Sequence, residues 1–370
     1  MKKNMKIFSL LFLLSFMIGC KKDVSQPFIK GGNPVGLIDT RGLDRYINIA
    51  QRLSNQQEPS QQEWDSLFVT PFYHLFIYQY KYSTPDEQKN ELRVVYKSQN
   101  YTSEQLAKYA HHFEYKKRLD SLQAYSNNIK NGLIREELKK YLFPYLPKRL
   151  QNMEVPPVVY TYYFGEEANG LENMILQDAL LAFKVDNYAK GVLTAHEAFH
   201  SIATKSLISR YQVKLKSTDV RSIITESLIG ISQEGIADLI DKEILGKVGS
   251  PVYDVFQTFT VNEEEKSINF IKNLDKELIR ISQNPFISDL KAFKQSIMAY
   301  AGHQPGRYMG KAIKITGQLN DLITDIENPF AFIYAYNKAA NQLKGNYPVF
   351  SNESLNYLKS IEQQIIKPLN

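Results

Sequence analysis

The sequence predicts an α+β fold, predominantly α-helical, with a small sheet beside the helix that carries His196-Glu197-Ala198-Phe199-His200. Three observations predict it. Apolar residues recur at spacings of three and four over most of the chain, the period of a helix with one buried face. One stretch, from about Val155 to Phe183, breaks that period with β-branched and aromatic runs that suit strands. The His-Glu-x-x-His segment follows, with Ala189, Val192, Leu193, Phe199 and Ala203 giving its helix an apolar side.

The chain opens on a leader. Lys2, Lys3 and Lys6 precede an apolar run from Ile7 to Ile18, which ends at Gly19-Cys20. A basic start before so short an apolar run is an export signal rather than a span. Its ending, Met17-Ile18-Gly19-Cys20, resembles a bacterial lipobox, which implies that residues 1–19 are a lipoprotein signal peptide and that Cys20 is lipidated. Cys20 is also the only cysteine, which favours lipid attachment over a bridge. The alternative is an ordinary secretory signal. Residues 20–39 are polar and rich in Gly and Pro, a tether from lipid to folded protein. The expected location is the bacterial cell envelope, on the periplasmic face or cell surface, with the membrane as partner through the anchor.

The formal net charge is +6, and Lys2, Lys3 and Lys6 leave with the signal. That balance is too mild to argue for nucleic acid, and no zinc knuckle, RNA-binding aromatic motif or basic stripe is present. There is no internal repeat.

Residues 40–150 form a helical N-terminal region. Ser60-Gln61-Gln62-Glu63 and Thr84-Pro85-Asp86-Glu87 fit capping boxes, the second with proline at the first helical position. His111-His112 is a tempting metal pair, but adjacent residues point about 100° apart on a helix. Solvated or capping histidines are the expectation there.

Residues 151–370 hold the chemistry. Val158 to Phe164 is a strand candidate, Gly165 to Gly170 carries turn residues, and Met174 to Phe183 is a second apolar run; together they suggest the small sheet. On the following helix His196 and His200 are four apart, so both face one side and can share an ion. Zinc accepts imidazole nitrogen and prefers tetrahedral coordination. Glu197 projects beside that ion, where it can take a proton from water. A catalytic zinc normally has three protein ligands. Downstream, Ser217-Thr218-Asp219-Val220 starts a long helical pattern that Gly246 stops, and within it Glu234 and Asp238 share a face. Glu234 then serves as third ligand, and Asp238 accepts a histidine N–H behind the metal. Glu226 is the alternative ligand, about 80° around the helix from Glu234.

HExxH followed by Glu-x-x-x-Asp on a second helix, from Thr194 to Asp238, resembles the gluzincin metallopeptidases. Outside it the chain is more similar to bacterial lipoproteins known only as candidate zinc-dependent peptidases. The resemblance implies a zincin-like catalytic core, a Zn2+ cofactor, and a peptide or protein substrate hydrolysed by water that Glu197 activates. It also implies an oxyanion donor beyond the third ligand. Tyr300 to Gly310 is its best source, through His303, Tyr308 or Tyr300, with Pro305 opening a helix and Gly306 and Gly310 allowing close packing. Asp178 and its neighbours would form the edge strand that pairs with substrate. The competing class is a non-catalytic surface lipoprotein that binds peptide or glycan, against which the intact Glu197 argues.

Overall fold

The computed structural model describes residues 37–130, 132, 134–163, 167–171, 173–216, 218–345 and 347–367. The expected signal peptide, Cys20 and all but the end of the expected tether lie outside the described residues, as do Phe164 and Ser217. The described chain is 69% helical with one four-stranded mixed sheet, the α+β and mainly helical architecture expected. By its contacts it divides into two compact units, the first running to Leu138 and resuming over Glu154–Ser201, the second holding Lys139–Met153 and the chain from Ile202.

In the first unit, strand β1 (Ile38–Asp39) leads into helix α1 (Arg41–Ser54), which buries Leu43, Tyr46, Ile47, Ala50 and Leu53 at helical spacing. Helices α2 (Gln61–Phe68) and α3 (Pro85–Lys97) start at the two expected capping boxes. The Ser60 and Thr84 hydroxyls accept from the Glu63 and Glu87 N–H groups, and those carboxylates accept from the Ser60 and Thr84 N–H groups in return. Helices α4 (Ala110–Lys117) and α5 (Leu119–Ile129) follow. Strands β2 (Val158–Thr161), β3 (Ala168–Gly170) and β4 (Ile175–Asp178) complete a sheet of order β1-β2-β4-β3. β1, β2 and β4 run parallel, and β3 is antiparallel to β4. β2 and β4 are buried along their whole length, which is why they read as apolar runs rather than alternations.

The second apolar run does not stay in the sheet. Asp178 accepts from the Leu181 N–H at 2.9 Å and caps helix α6 (Ala179–Ala189), turning the chain from strand to helix at one residue. The same carboxylate accepts from the Tyr115 hydroxyl at 2.7 Å and the Tyr163 N–H at 3.0 Å, and lies 2.9 Å from His111 Nε2. His112 is buried, stacked on Tyr162 at 4.1 Å, with Nδ1 2.8 Å from the Tyr46 hydroxyl. The expectation of solvated or capping histidines is therefore corrected: both rings pack into a tyrosine-rich interior that the helical period alone does not reveal.

Helix α7 (Val192–Arg210) belongs to the first unit as far as Ser201 and to the second from Ile202. The second unit is built on α8 (Val220–Leu245), capped by Asp219 and stopped at Gly246. α8 is buried on nearly every side from Ser222 to Asp241, the mark of a central helix. Helices α10 (Leu290–Ile297), α11 (His303–Ile315) and α12 (Pro329–Leu343) pack on it, while α9 (Glu263–Gln283) packs on α11, and α13 (Asn352–Ile365) packs on α9 and α12. The α8–α11 pair approaches closely because glycines face each other. A Cβ at Gly310 would stand 2.7 Å from the Gly235 carbonyl oxygen, and one at Gly306 would stand 2.8 Å from the Gly235 nitrogen.

Candidate metal and catalytic site

In the first unit the site residues lie on α7, against the sheet. Gln177 of β4 donates to the Thr194 hydroxyl at 2.9 Å, and the Ser201 hydroxyl donates to the Leu171 carbonyl at 2.8 Å, so both sides of the motif are tied to the strands. His196 and Glu197 are buried and His200 half-buried. The two Nε2 atoms are 3.1 Å apart. Two imidazoles sharing a tetrahedral ion at 2.0–2.1 Å require a separation of about 3.3 Å. The separation is therefore close to the one a shared zinc requires, and the donor chemistry of the two rings fits that ion.

The Glu197 carboxylate accepts from the Gly170 N–H at 2.7 Å, which fixes it at the end of β3. Residue 170 has to be glycine. A Cβ there would drive into the Glu197 carbonyl oxygen and stand 3.1 Å from the His200 Cβ. Asn169, its neighbour, donates from Nδ2 to the Tyr163 hydroxyl at 2.7 Å. The sequence shows Gly170 only as the end of a turn; a lone glycine at the rim of a strand is the signal for close backbone approach. The strand expected at the edge is corrected too. Asp178 ends β4, which pairs with β2 and β3 on its two sides, and β3 is the outermost strand on that side among the described residues.

In the second unit Glu234 and Asp238 are both buried on α8, and His303 joins them: the three offer ligand atoms within 4.8 Å of one another. His303 Nδ1 is 3.0 Å from Glu234 Oε2 and 3.4 Å from Asp238 Oδ1. Burial pulls the His303 imidazole down, but the charges of Glu234 and Asp238 outweigh it and raise it above its ordinary value. Lys242, one turn beyond Asp238, donates to Asp241 at 2.8 Å and lies 3.6 Å from Asp238. Burial acts against its charge, and the neighbouring carboxylates, Asp241 first, win and hold it protonated. Glu226 is engaged elsewhere, accepting from Lys294 Nζ at 2.9 Å.

His303 is not in a loop before the helix, as Pro305 suggested. α11 opens at His303 with Gly302 as cap at φ 94°, and Pro305 is third in the helix, where its missing N–H still costs no hydrogen bond. Tyr308 lies further along α11, its ring stacked on Tyr347 at 4.9 Å. Burial raises its hydroxyl above the usual range. Tyr300 lies in the short 3₁₀ turn before α11.

A family model described as "Putative zinc dependent peptidase (DUF5700)" matches residues 64–345. No curated protein and no solved structure matches the chain.

Proposed function

The chain belongs to the "Putative zinc dependent peptidase (DUF5700)" family, and on that premise we propose that it hydrolyses peptide bonds with His196, His200 and Glu234 as zinc ligands. The observation that carries the proposal is the 3.1 Å separation of the two Nε2 atoms, with Glu197 of the same helix held by the Gly170 N–H. Two imidazoles and a carboxylate are the donor types that a catalytic zinc takes. Glu234 is favoured over Glu226, because Lys294 already neutralises Glu226.

Zinc bound there supplies Lewis acidity toward water and a carbonyl oxygen. Glu197 takes the proton from the attacking water and returns it to the leaving amine, and its hydrogen bond from Gly170 holds the carboxylate ready for both transfers. β3, as the outer strand, offers backbone groups with which an extended substrate can pair. His303 is assigned to stabilising the oxyanion over Tyr308, because its ring is held beside Glu234 and Asp238, whereas the Tyr308 ring stacks on Tyr347. Asp238 orients that ring. Cys20, lipidated after signal cleavage, anchors the enzyme to the envelope.

The test is Glu197→Gln in the full chain, with metal analysis beside peptide hydrolysis. About one zinc per chain should remain, while cleavage falls by about 10²–10⁴-fold, the range of a lost general base. His196→Ala should lose the zinc itself. A Glu197→Gln protein that cleaves as fast as the parent would refute the mechanism. A zinc-loaded parent that cleaves nothing across a broad peptide library would favour the peptide- or glycan-binding alternative.

A further inference from the structure

Residues 72–82, FYHLFIYQYKY, hold six tyrosines and phenylalanines in the first unit. A π-helix spans His74–Gln79, closed by a bond from the Tyr80 N–H to the Leu75 carbonyl at 2.8 Å. Such segments are rare and are frequent at functional sites. Here Ile77 is buried while Tyr78 stays 49% exposed. Lys81 then adopts a left-handed φ of 55°, a conformation that non-glycine residues seldom take. Past that turn the Tyr82 ring lies against Phe76 at 5.9 Å and Tyr80 at 5.7 Å, still 48% exposed.

The rings continue inward. Phe76 stacks on Phe72 at 5.6 Å, and Phe72 meets Tyr163 edge-on at 5.1 Å. The Tyr163 hydroxyl is held by Asn169 of β3, whose next residue, Gly170, binds Glu197. An aromatic path thus runs from half-exposed Tyr82 to the strand beside the carboxylate.

We propose that Phe76, Tyr80 and Tyr82 form a ledge that binds an aromatic or large apolar side chain of the peptide being cleaved. This rests on the peptidase assignment above and adds its preferred substrate class. Exposed aromatic area of this kind marks an interaction surface, and offset or edge-on ring contacts supply affinity beyond simple burial. The occupant is a peptide because the path ends on β3. An extended peptide advances about 3.3 Å per residue, so a peptide paired along β3 presents side chains to the ledge from successive positions on either side of the bond broken at Glu197. Sugars also stack on aromatic faces, but a glycan subsite has no need to lead to that strand.

The experiment uses the zinc-loaded full chain and peptide pairs differing only by Phe or Ala at each of those positions. At one position Phe should raise kcat/KM by about tenfold or more, the discrimination an apolar subsite gives. Tyr82→Ala and Phe76→Ala should bring the ratio toward one by slowing the Phe peptide, with zinc content unchanged, whereas Tyr82→Phe should preserve it. A parent without preference, or alanine variants that keep it, overturns the ledge. Equilibrium binding of the same labelled peptides to the Glu197→Gln protein separates this from failure of the peptidase assignment. Tighter binding of the Phe peptide, lost in Tyr82→Ala, supports the ledge even if no peptide is ever cleaved. Equal binding of both peptides, or binding of chitohexaose at Tyr82 without any Phe preference, overturns it.

Discussion

The Glu197 carboxylate stands at the end of β3 because residue 170 has no side chain, so one small residue sets the position of the proposed base. His112 shows the opposite case, a large polar ring kept wholly inside. Burial lowers its imidazole below the ordinary value, against a smaller opposing pull from Glu91. The unfolded chain, with a histidine pKa near 6.5, then binds a proton that the folded chain does not. This contribution to stability is fully present above about pH 6.5, declines as pH falls below it, and levels off at the lowered folded-state value. Urea midpoints measured from about pH 7.5 down to pH 5 should therefore fall. His112→Gln should remove part of that slope, although it lowers the midpoint at neutral pH by disturbing the stack with Tyr162. An identical slope in the variant would assign the acid sensitivity to other groups.

At the scale of elements, α8 and α11 test how closely two helices can be set. Gly306→Ala would place its methyl 2.8 Å from the Gly235 nitrogen and 3.0 Å from its Cα. Neither backbone can yield cheaply, so the change should cost about 1–3 kcal/mol. Gly230→Ala, on the same α8, would meet only the Ala301 carbonyl oxygen, at 3.6 Å. It should be tolerated and stabilise by about 0.5–1 kcal/mol through reduced backbone freedom. Urea unfolding of the pair reads both signs, and equal losses would show that glycine spacing is not what sets the approach. The starts and stops of elements were legible where a side chain makes the cap: Ser60 with Glu63, Thr84 with Glu87, and Asp219 and Gly246 at the two ends of α8. Elements defined by a partner were not legible. β1 is two residues long, and β3 is Ala168-Asn169-Gly170, with no strand-forming residue at all; each exists only because a neighbouring strand supplies the pairing. Pro305 misled for a related reason. Proline fits anywhere in the first helical turn, so it brackets a start without fixing it, and here Gly302 sets the start instead. The motif pair His196 and His200 was readable from helical period alone, whereas the meeting of His303 with Asp238 depends on how α11 lies on α8, which no local pattern encodes.

At the scale of the whole molecule, the proposed envelope location requires that the chain be both exported and retained. Among the described residues no helix is long and apolar enough to cross a membrane. The proposal places retention at the chain's start, where Lys2, Lys3 and Lys6 and the run Ile7–Ile18 precede Cys20. A single myristoyl-sized chain binds membranes only marginally, and firm anchoring takes a second lipid or a basic patch. In the proposed anchor, Lys21 and Lys22 directly after the cysteine would add positive charge beside the lipid. The proposed anchor predicts a mature N-terminus at Cys20 carrying acyl chains, seen as a mass increase on the first tryptic peptide of membrane-extracted protein. Cys20→Ser should leave the zinc site intact, so peptide hydrolysis and metal content per mole of purified protein should match the parent. What should change is location: the parent pellets with membranes and resists a high-salt wash, while the variant remains with uncleaved signal or is released to the soluble fraction. A parent found soluble, beginning at any residue other than Cys20, would return the leader to an ordinary secretory signal and leave retention to some other contact.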